Sequence, residues 1–212
     1  LFNPEHIFSS SGGKLFADGR KTTQSLSDLI NSVCGSGDAA NFTGGLCGYA
    51  GFNYAASVEG VKLHKSVFPD AEYGFFTECL VFDNFEKTCV YNGREDKDFD
   101  AFFEKIMAAG IAESLPENKL ECIGKGFHYS KQGFEELVLK AKAFLYSGDV
   151  FQLVVSNKYF FDFKGDLFSA YRELRKNNPS PYHYFLKFGE RIVAGASPEN
   201  FCSIRSKRVY TY

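Results

Sequence analysis

The sequence predicts an α+β or mixed α/β fold in which packed, mostly antiparallel β-sheets are flanked by helices. Three observations lead there. Helical stretches fall between groups of short strands, which disfavours a simple parallel βαβ repeat. Aromatic residues are abundant, with 24 Phe and 12 Tyr but no Trp, a composition suited to a core of packed sheets. At 212 residues, 44% apolar and 24% charged, the chain is one large or two small globular domains with enough material to bury a core.

Taken in order, Leu1 to Phe8 reads as the end of a strand, so no signal peptide is expected. Lys14–Ala17 lies between glycine turns and reads as a short strand. Thr23 to Cys34 is a weakly amphipathic helix with Leu26, Leu29, Ile30 and Val33 at helical spacing. The glycine-rich stretch Gly44 to Phe52 is either a phosphate-cradling loop or a strand. No Gly-Lys-Ser/Thr follows and its glycines alternate with β-formers, which favours a strand permitting close backbone approach. Val61 to Tyr73, polar and containing Pro69, reads as a loop. Phe75 to Phe82 and Lys87 to Tyr91 form a hairpin turning near Asp83–Glu86. Asp98 to Ala109 is a helix, and Gly110 to Lys125 reads as a linker or boundary.

Ser130 to Ser147 is the clearest helix, with Phe134, Leu137, Val138, Ala141, Phe144 and Leu145 on one stripe. Gly148 just beyond it suits a left-handed cap. Val150 to Phe163 reads as a long strand, Asp166 to Lys176 as a helix, and Tyr182 to Phe188 as a strand. Arg191 to Ala194, Phe201 to Ile204 and Arg208 to Tyr212 complete the strands. Both ends are expected to be cut points, because the first residue is not Met and the last lie inside a strand.

Charge and cysteine content narrow the partners. A net charge of −2 gives no reason to expect nucleic acid or an anionic membrane surface. No apolar run approaches the roughly 20 residues of a spanning helix. The six cysteines at 34, 47, 79, 89, 122 and 202 form no Cys-x-x-Cys pair. They read as reduced, mostly buried thiols of a cytoplasmic protein, and the histidines at 6, 64, 128 and 183 are too scattered for a zinc site.

Three pieces can carry chemistry. Glu199 follows Ser197-Pro198, so it is either a carboxyl on extended, fixed backbone able to act as a general acid or an ordinary surface residue. Gln152, between Phe151 and Leu153 on the expected strand, points opposite to them. Its amide can orient a substrate but cannot act as a base near neutral pH. Asn178-Pro179-Ser180-Pro181-Tyr182 is either a rigid ligand-presenting loop or simply a helix stop before a strand.

With these in place, the chain resembles the chorismate-utilising enzymes, most closely component I of anthranilate synthases. The motifs are Gly44 to Phe52, Phe68-Pro-Asp-Ala-Glu, Val81-Phe-Asp-Asn, Gly148-Asp-Val-Phe-Gln, Asn178-Pro-Ser-Pro-Tyr and Gly195-Ala-Ser-Pro-Glu. The resemblance implies an amino-terminal region over residues 1–125 and the first part of a chorismate-binding region over 126–212. It implies that Glu199 protonates the departing 4-hydroxyl of chorismate. Gln152 would stand where water-adding relatives carry a lysine, which favours ammonia over water as the nucleophile. Asn178, Pro179, Ser180, Pro181, Tyr182 and His183 would help form a tryptophan feedback site, with His183 where many bacterial members have Met.

The resemblance also implies Mg²⁺, with its ligands and a catalytic His expected beyond Tyr212, so that no metal ligand is expected in this chain. A glutamine amidotransferase subunit would supply ammonia, and the 212 residues alone are expected to be inactive. Alternatives are 4-amino-4-deoxychorismate synthase, or a non-catalytic amino-acid-binding module on the same scaffold.

Overall fold

The first sheet begins with a strand, His-Ile-Phe-Ser-Ser-Ser, along which burial alternates although residue polarity does not. In a computed structural model, residues 1, 3–33, 44–61, 66–93, 99–110, 120–205 and 208–211 are described. Strand β1 (His6–Ser11) buries Phe8 and Ser10 on one face and leaves Ile7 outward, as a period of two requires. Gly12 and Gly13, both at positive φ, turn the chain into β2 (Lys14–Ala17). A second turn leads to β3 (Arg20–Thr22). Helix α1 (Leu26–Val33) follows and buries Leu29. The hydroxyl of Ser25 accepts from the Asp28 N–H at 3.1 Å, which caps its start.

The glycine-rich stretch is a strand, β4 (Gly45–Ala50), as expected. It runs into a short helix that the sequence reading missed, α2 (Phe52–Val58), which buries Ala56. Strand β5 (Ala71–Phe76) begins inside the segment read as a loop. Its residues pair with both β1 and β4, and the ladder on either side makes this polar stretch a central strand. The sheet order is β3-β2-β1-β5-β4, and every described register in it is antiparallel.

The expected hairpin consists of β6 (Cys79–Asp83) and β7 (Thr88–Asn92), with Phe75 and Phe76 belonging instead to β5. Asp83 accepts the N–H groups of Phe85 and Glu86 at 2.8 and 3.0 Å, which closes the turn. Helix α3 (Phe99–Gly110) meets the hairpin through Phe99 and Phe102, whose ring centroids lie 5.4 and 4.9 Å from that of Tyr91. Asp98 lies outside the described residues, as does Cys34 at the end of the first expected helix.

Residues 111–119 of the expected linker also lie outside the description, but its end is strand β8 (Glu121–Phe127). Helix α4 (Lys131–Ser147) follows the sequence closely. The Ser130 hydroxyl accepts from the Gly133 N–H at 3.1 Å, and Gly148 closes the far end at φ 78°. The long strand expected over Val150 to Phe163 is a correction: only β9 (Tyr159–Lys164) is strand, paired antiparallel with β8. Phe151 is fully exposed and Val154 is 80% exposed. β-propensity is local, whereas a strand needs a neighbouring ladder; the His128 N–H still donates to the Lys158 carbonyl at 2.8 Å, but among the described residues no strand flanks 151–156.

Helix α5 (Leu167–Asn177) is capped by Asp166, whose carboxylate accepts from the Phe168 N–H at 3.1 Å. Strands β10 (Tyr182–Phe188) and β11 (Arg191–Ser197) make a hairpin turning at Gly189. The last pair is β12 (Cys202–Arg205) with β13 (Arg208–Thr211).

Two compact units emerge: residues Leu1–Ala112 with Leu186–Ile192 and Phe201–Tyr212, and residues Glu113–Phe185 with Val193–Asn200. The β10–β11 hairpin thus gives its tip to the first unit and its base to the second. The expectation of a phenylalanine-rich core needs correcting, since only Phe8 and Phe188 are buried among the phenylalanines described. Phe160, Phe161 and Phe163 stay exposed because β8 and β9 form a ribbon of two strands, with too little sheet to bury them. The thiols differ likewise. Cys79 is buried and Cys47 half-buried, but Cys89, Cys122 and Cys202 are exposed, and none of these five is in a disulfide.

Candidate functional site

Helix α5 places the loop that follows it. Phe168 and Tyr171, one turn apart, meet Phe185 of β10 with ring centroids at 5.1 and 5.3 Å. The Tyr171 ring also meets His183 edge-on at 6.4 Å. Asn178 closes the helix, its N–H donating to the Leu174 carbonyl at 2.8 Å. Pro179 and Pro181 cannot donate, so Ser180 carries the polar contacts of the turn. Its backbone N–H donates to His183 Nε2 at 3.1 Å, and its hydroxyl donates to the Ser197 carbonyl.

Accepting at Nε2 leaves the proton of a neutral His183 on Nδ1. That nitrogen is buried and has no partner among the described residues. Tyr182, by contrast, is 45% exposed.

Strand β11 ends at Ser197, because Pro198 has no N–H to continue a ladder. Glu199 therefore sits in a bend, and this revises the extended backbone expected for it. Its amide donates to the Ser197 hydroxyl at 3.4 Å, while that hydroxyl donates to the Glu199 carbonyl at 3.0 Å. The carboxylate is exposed. Gly195 lies under the Tyr184 ring: a Cβ there would come within 2.4 Å of the tyrosine oxygen, so a larger residue would displace the ring.

Ser180, His183, Ser197 and Glu199 are thereby joined by hydrogen bonds within one unit. Gln152 is not among them. It lies outside any strand and is exposed, as are Phe151 and Leu153, so the alternation expected of these three along a strand does not hold.

A second cluster, in the other unit, escaped the sequence reading. Arg191 donates from Nε to Glu72 at 3.1 Å and from Nη2 to the other carboxylate oxygen. The Tyr49 hydroxyl donates to Glu72 at 3.3 Å, and Phe68 and Phe188 meet its ring edge-on at 6.4 Å. Burial, followed by the nearby carboxylate, pushes the Tyr49 phenol up to about 12. The Glu72 hydrogen bond raises Arg191 from its ordinary value. Every charged group is satisfied, which marks a structural joint. Glu72 ends the Phe68-Pro-Asp-Ala-Glu motif and Tyr49 lies in the glycine-rich one, but neither motif points to Arg191, 119 positions from Glu72.

Among the described residues, no three His, Cys, Asp or Glu side chains converge where a metal ion could sit, and no helix is long and apolar enough to cross a membrane.

Residues 1–212 match the family model described as chorismate binding enzyme, and the chain belongs to that family. It is 28% identical over 217 residues to anthranilate synthase component 1 of Methanothermobacter marburgensis (strain Marburg), covering all of this chain and 46% of the relative. It is 35% identical over 187 residues to the protein of the same name from Lactococcus lactis subsp. lactis, covering 80% of this chain and 40% of the relative.

The crystal structure of anthranilate synthase component I from Streptococcus pneumoniae TIGR4 superposes with a TM-score of 0.82 at 24% identity. That match covers 98% of this chain and 51% of the other, and the mixed fold of antiparallel sheets and helices is shared. The chain spans about half the length of the relatives it matches.

Proposed function

We propose that these residues are part of an anthranilate synthase component I of the cytoplasm. The reaction joins chorismate with ammonia, released from glutamine by an amidotransferase partner, and gives anthranilate and pyruvate in tryptophan biosynthesis. The carrying observation is the bend at Ser197–Glu199, which presents an exposed carboxylate on backbone held by the Ser197 hydroxyl. Glu199 acts as the general acid that protonates the departing 4-hydroxyl. Gln152 supplies an amide in place of a base, so ammonia attacks in preference to water. Mg²⁺, with ligands expected beyond Tyr212, would supply charge screening of the substrate carboxylate. Tryptophan inhibits through Asn178, Pro179, Ser180, Pro181, Tyr182 and His183.

Turnover of chorismate by the full natural protein carrying this sequence tests the reading, with ammonium and Mg²⁺ present and products followed by anthranilate fluorescence and pyruvate release. Both products should form, and Glu199→Gln should lower kcat by about a hundredfold or more. Amination without pyruvate release would instead indicate a 4-amino-4-deoxychorismate synthase. An absence of turnover would favour a non-catalytic amino-acid-binding module.

A further inference from the structure

We propose that one face of the β8–β9 ribbon binds a flat aromatic ring bearing a single carboxylate, with Lys125 taking the anion and Phe127 and Tyr159 taking the ring. None of its residues belongs to the bend at Glu199 or the loop at Asn178–His183, and the site does not depend on the reaction proposed above.

The ladder sorts the ribbon's side chains by face. Phe127 stands opposite Tyr159, Lys125 opposite Phe161, and Cys122 opposite Phe163. Directly opposed residues share a face and alternate residues return to it, so all of these lie together. The ring centroids of Tyr159 and Phe161 lie 6.0 Å apart and those of Phe161 and Phe163 lie 6.3 Å apart, so one row of rings runs along β9. Both carboxylates of the ribbon point the other way, because Asp162 stands opposite Gly124 and Glu121 opposite Lys164. The aromatic face thus carries a cation and no carboxylate of its own ribbon. Among the described residues no carboxylate from elsewhere pairs with Lys125 either.

A cavity of about 540 Å³ opens at this face, lined by Lys125, Gly126, Phe127 and Tyr159. Sites for small organic ligands have this size and this character, mostly apolar walls with a few polar groups that fix orientation. The Phe127 and Tyr159 rings are tilted by 55° with centroids 4.9 Å apart, and they remain 63% and 45% exposed. A third flat ring can pack against such a pair edge to face or offset. The Lys125 ammonium is one compact charge, which matches one carboxylate and leaves a doubly charged phosphate half compensated.

The test uses the full natural protein and benzoate, with benzamide, cyclohexanecarboxylate and phenyl phosphate as comparisons, each followed by NMR at the Gly126 backbone amide. Benzoate should shift that resonance to saturation with a Kd of about 1 mM. The three comparison compounds should each bind at least about fivefold more weakly. Lys125→Met should weaken benzoate about tenfold and leave benzamide unchanged, a split that a general loss of structure would not produce. Phe127→Leu should weaken benzoate and benzamide alike, and this second variant decides the matter if the first fails to fold.

A Gly126 amide unmoved by benzoate would overturn the proposal, as would happen if another segment of the full protein covers the ribbon. Equal affinity for benzoate and benzamide would overturn the role of Lys125, and tighter binding of phenyl phosphate would overturn the choice of a carboxylate. Chorismate turnover plays no part in the readout, so this proposal and the functional reading can each fail alone.

Discussion

Arg191 grips both carboxylate oxygens of Glu72 across 119 positions of sequence, at the tip of the β10–β11 hairpin and in the middle of the first sheet. The Glu72 side chain is only 3% exposed, while that of Arg191 is 41% exposed. Removing the arginine leaves a buried carboxylate with little besides the Tyr49 hydroxyl. Arg191→Met should therefore cost about 2 kcal/mol in urea unfolding, less than a fully buried pair because the guanidinium is partly solvated. The double variant with Glu72→Gln should recover part of that loss. Equal losses in the single and double variants would show the pair to be worth little.

Tyr49 should ionise well above the ordinary tyrosine range. Its phenol is held up to about 12 by burial and by the Glu72 carboxylate. A folded value above the ordinary one near 10 means that its contribution to stability is complete below about pH 10. That contribution is lost as pH rises through about 12. Tyrosinate absorbance should show a late component that is absent in Tyr49→Phe. A late component surviving that substitution would assign it elsewhere.

Gly48 lets β4 pass close to β5, opposite Tyr73. A Cβ there would lie 2.0 Å from the Glu72 carbonyl oxygen and 2.6 Å from the Tyr73 Cα, both backbone atoms that cannot swing away. Gly48→Ala should cost about 3 kcal/mol by denaturant unfolding. Gly124 is the control, because a Cβ there meets only Asp162 Oδ2 at 3.5 Å. Its alanine variant should stay within about 1 kcal/mol of the parent.

Both caps of α4 should be measurable. Ser130→Ala removes the acceptor for the Gly133 N–H and should cost about 1 kcal/mol. Gly148→Ala forces a side chain into φ 78° at the other end and should cost a similar amount, about 1 to 2 kcal/mol. Denaturant midpoints followed by far-ultraviolet circular dichroism would read both, and a change below about 0.3 kcal/mol in either would contradict the capping role assigned to it.

Helix α4 and strand β2 were legible because their signals are local. The apolar stripe of α4, its serine and its glycine lie within about five turns of one another, and β2 sits between glycine turns. The motifs bearing Glu199 and the Asn178–His183 loop were legible for the same reason, as short runs of turn-forming and polar residues. Helix α2 was missed because seven residues after a glycine-rich strand carry little periodicity. The strand expected at Gln152 was over-read, since Val, Leu and Phe favour β-structure whether or not a partner strand is there.

The sequence by itself determined the caps and the turns, because each depends on residues within a few positions along the chain. The tertiary structure alone decided that Glu72 meets Arg191 and that Ser180 reaches Ser197. It also left Gln152 exposed outside any ladder. Pairing between distant segments depends on which strands become neighbours, and no local pattern of residue types encodes that choice.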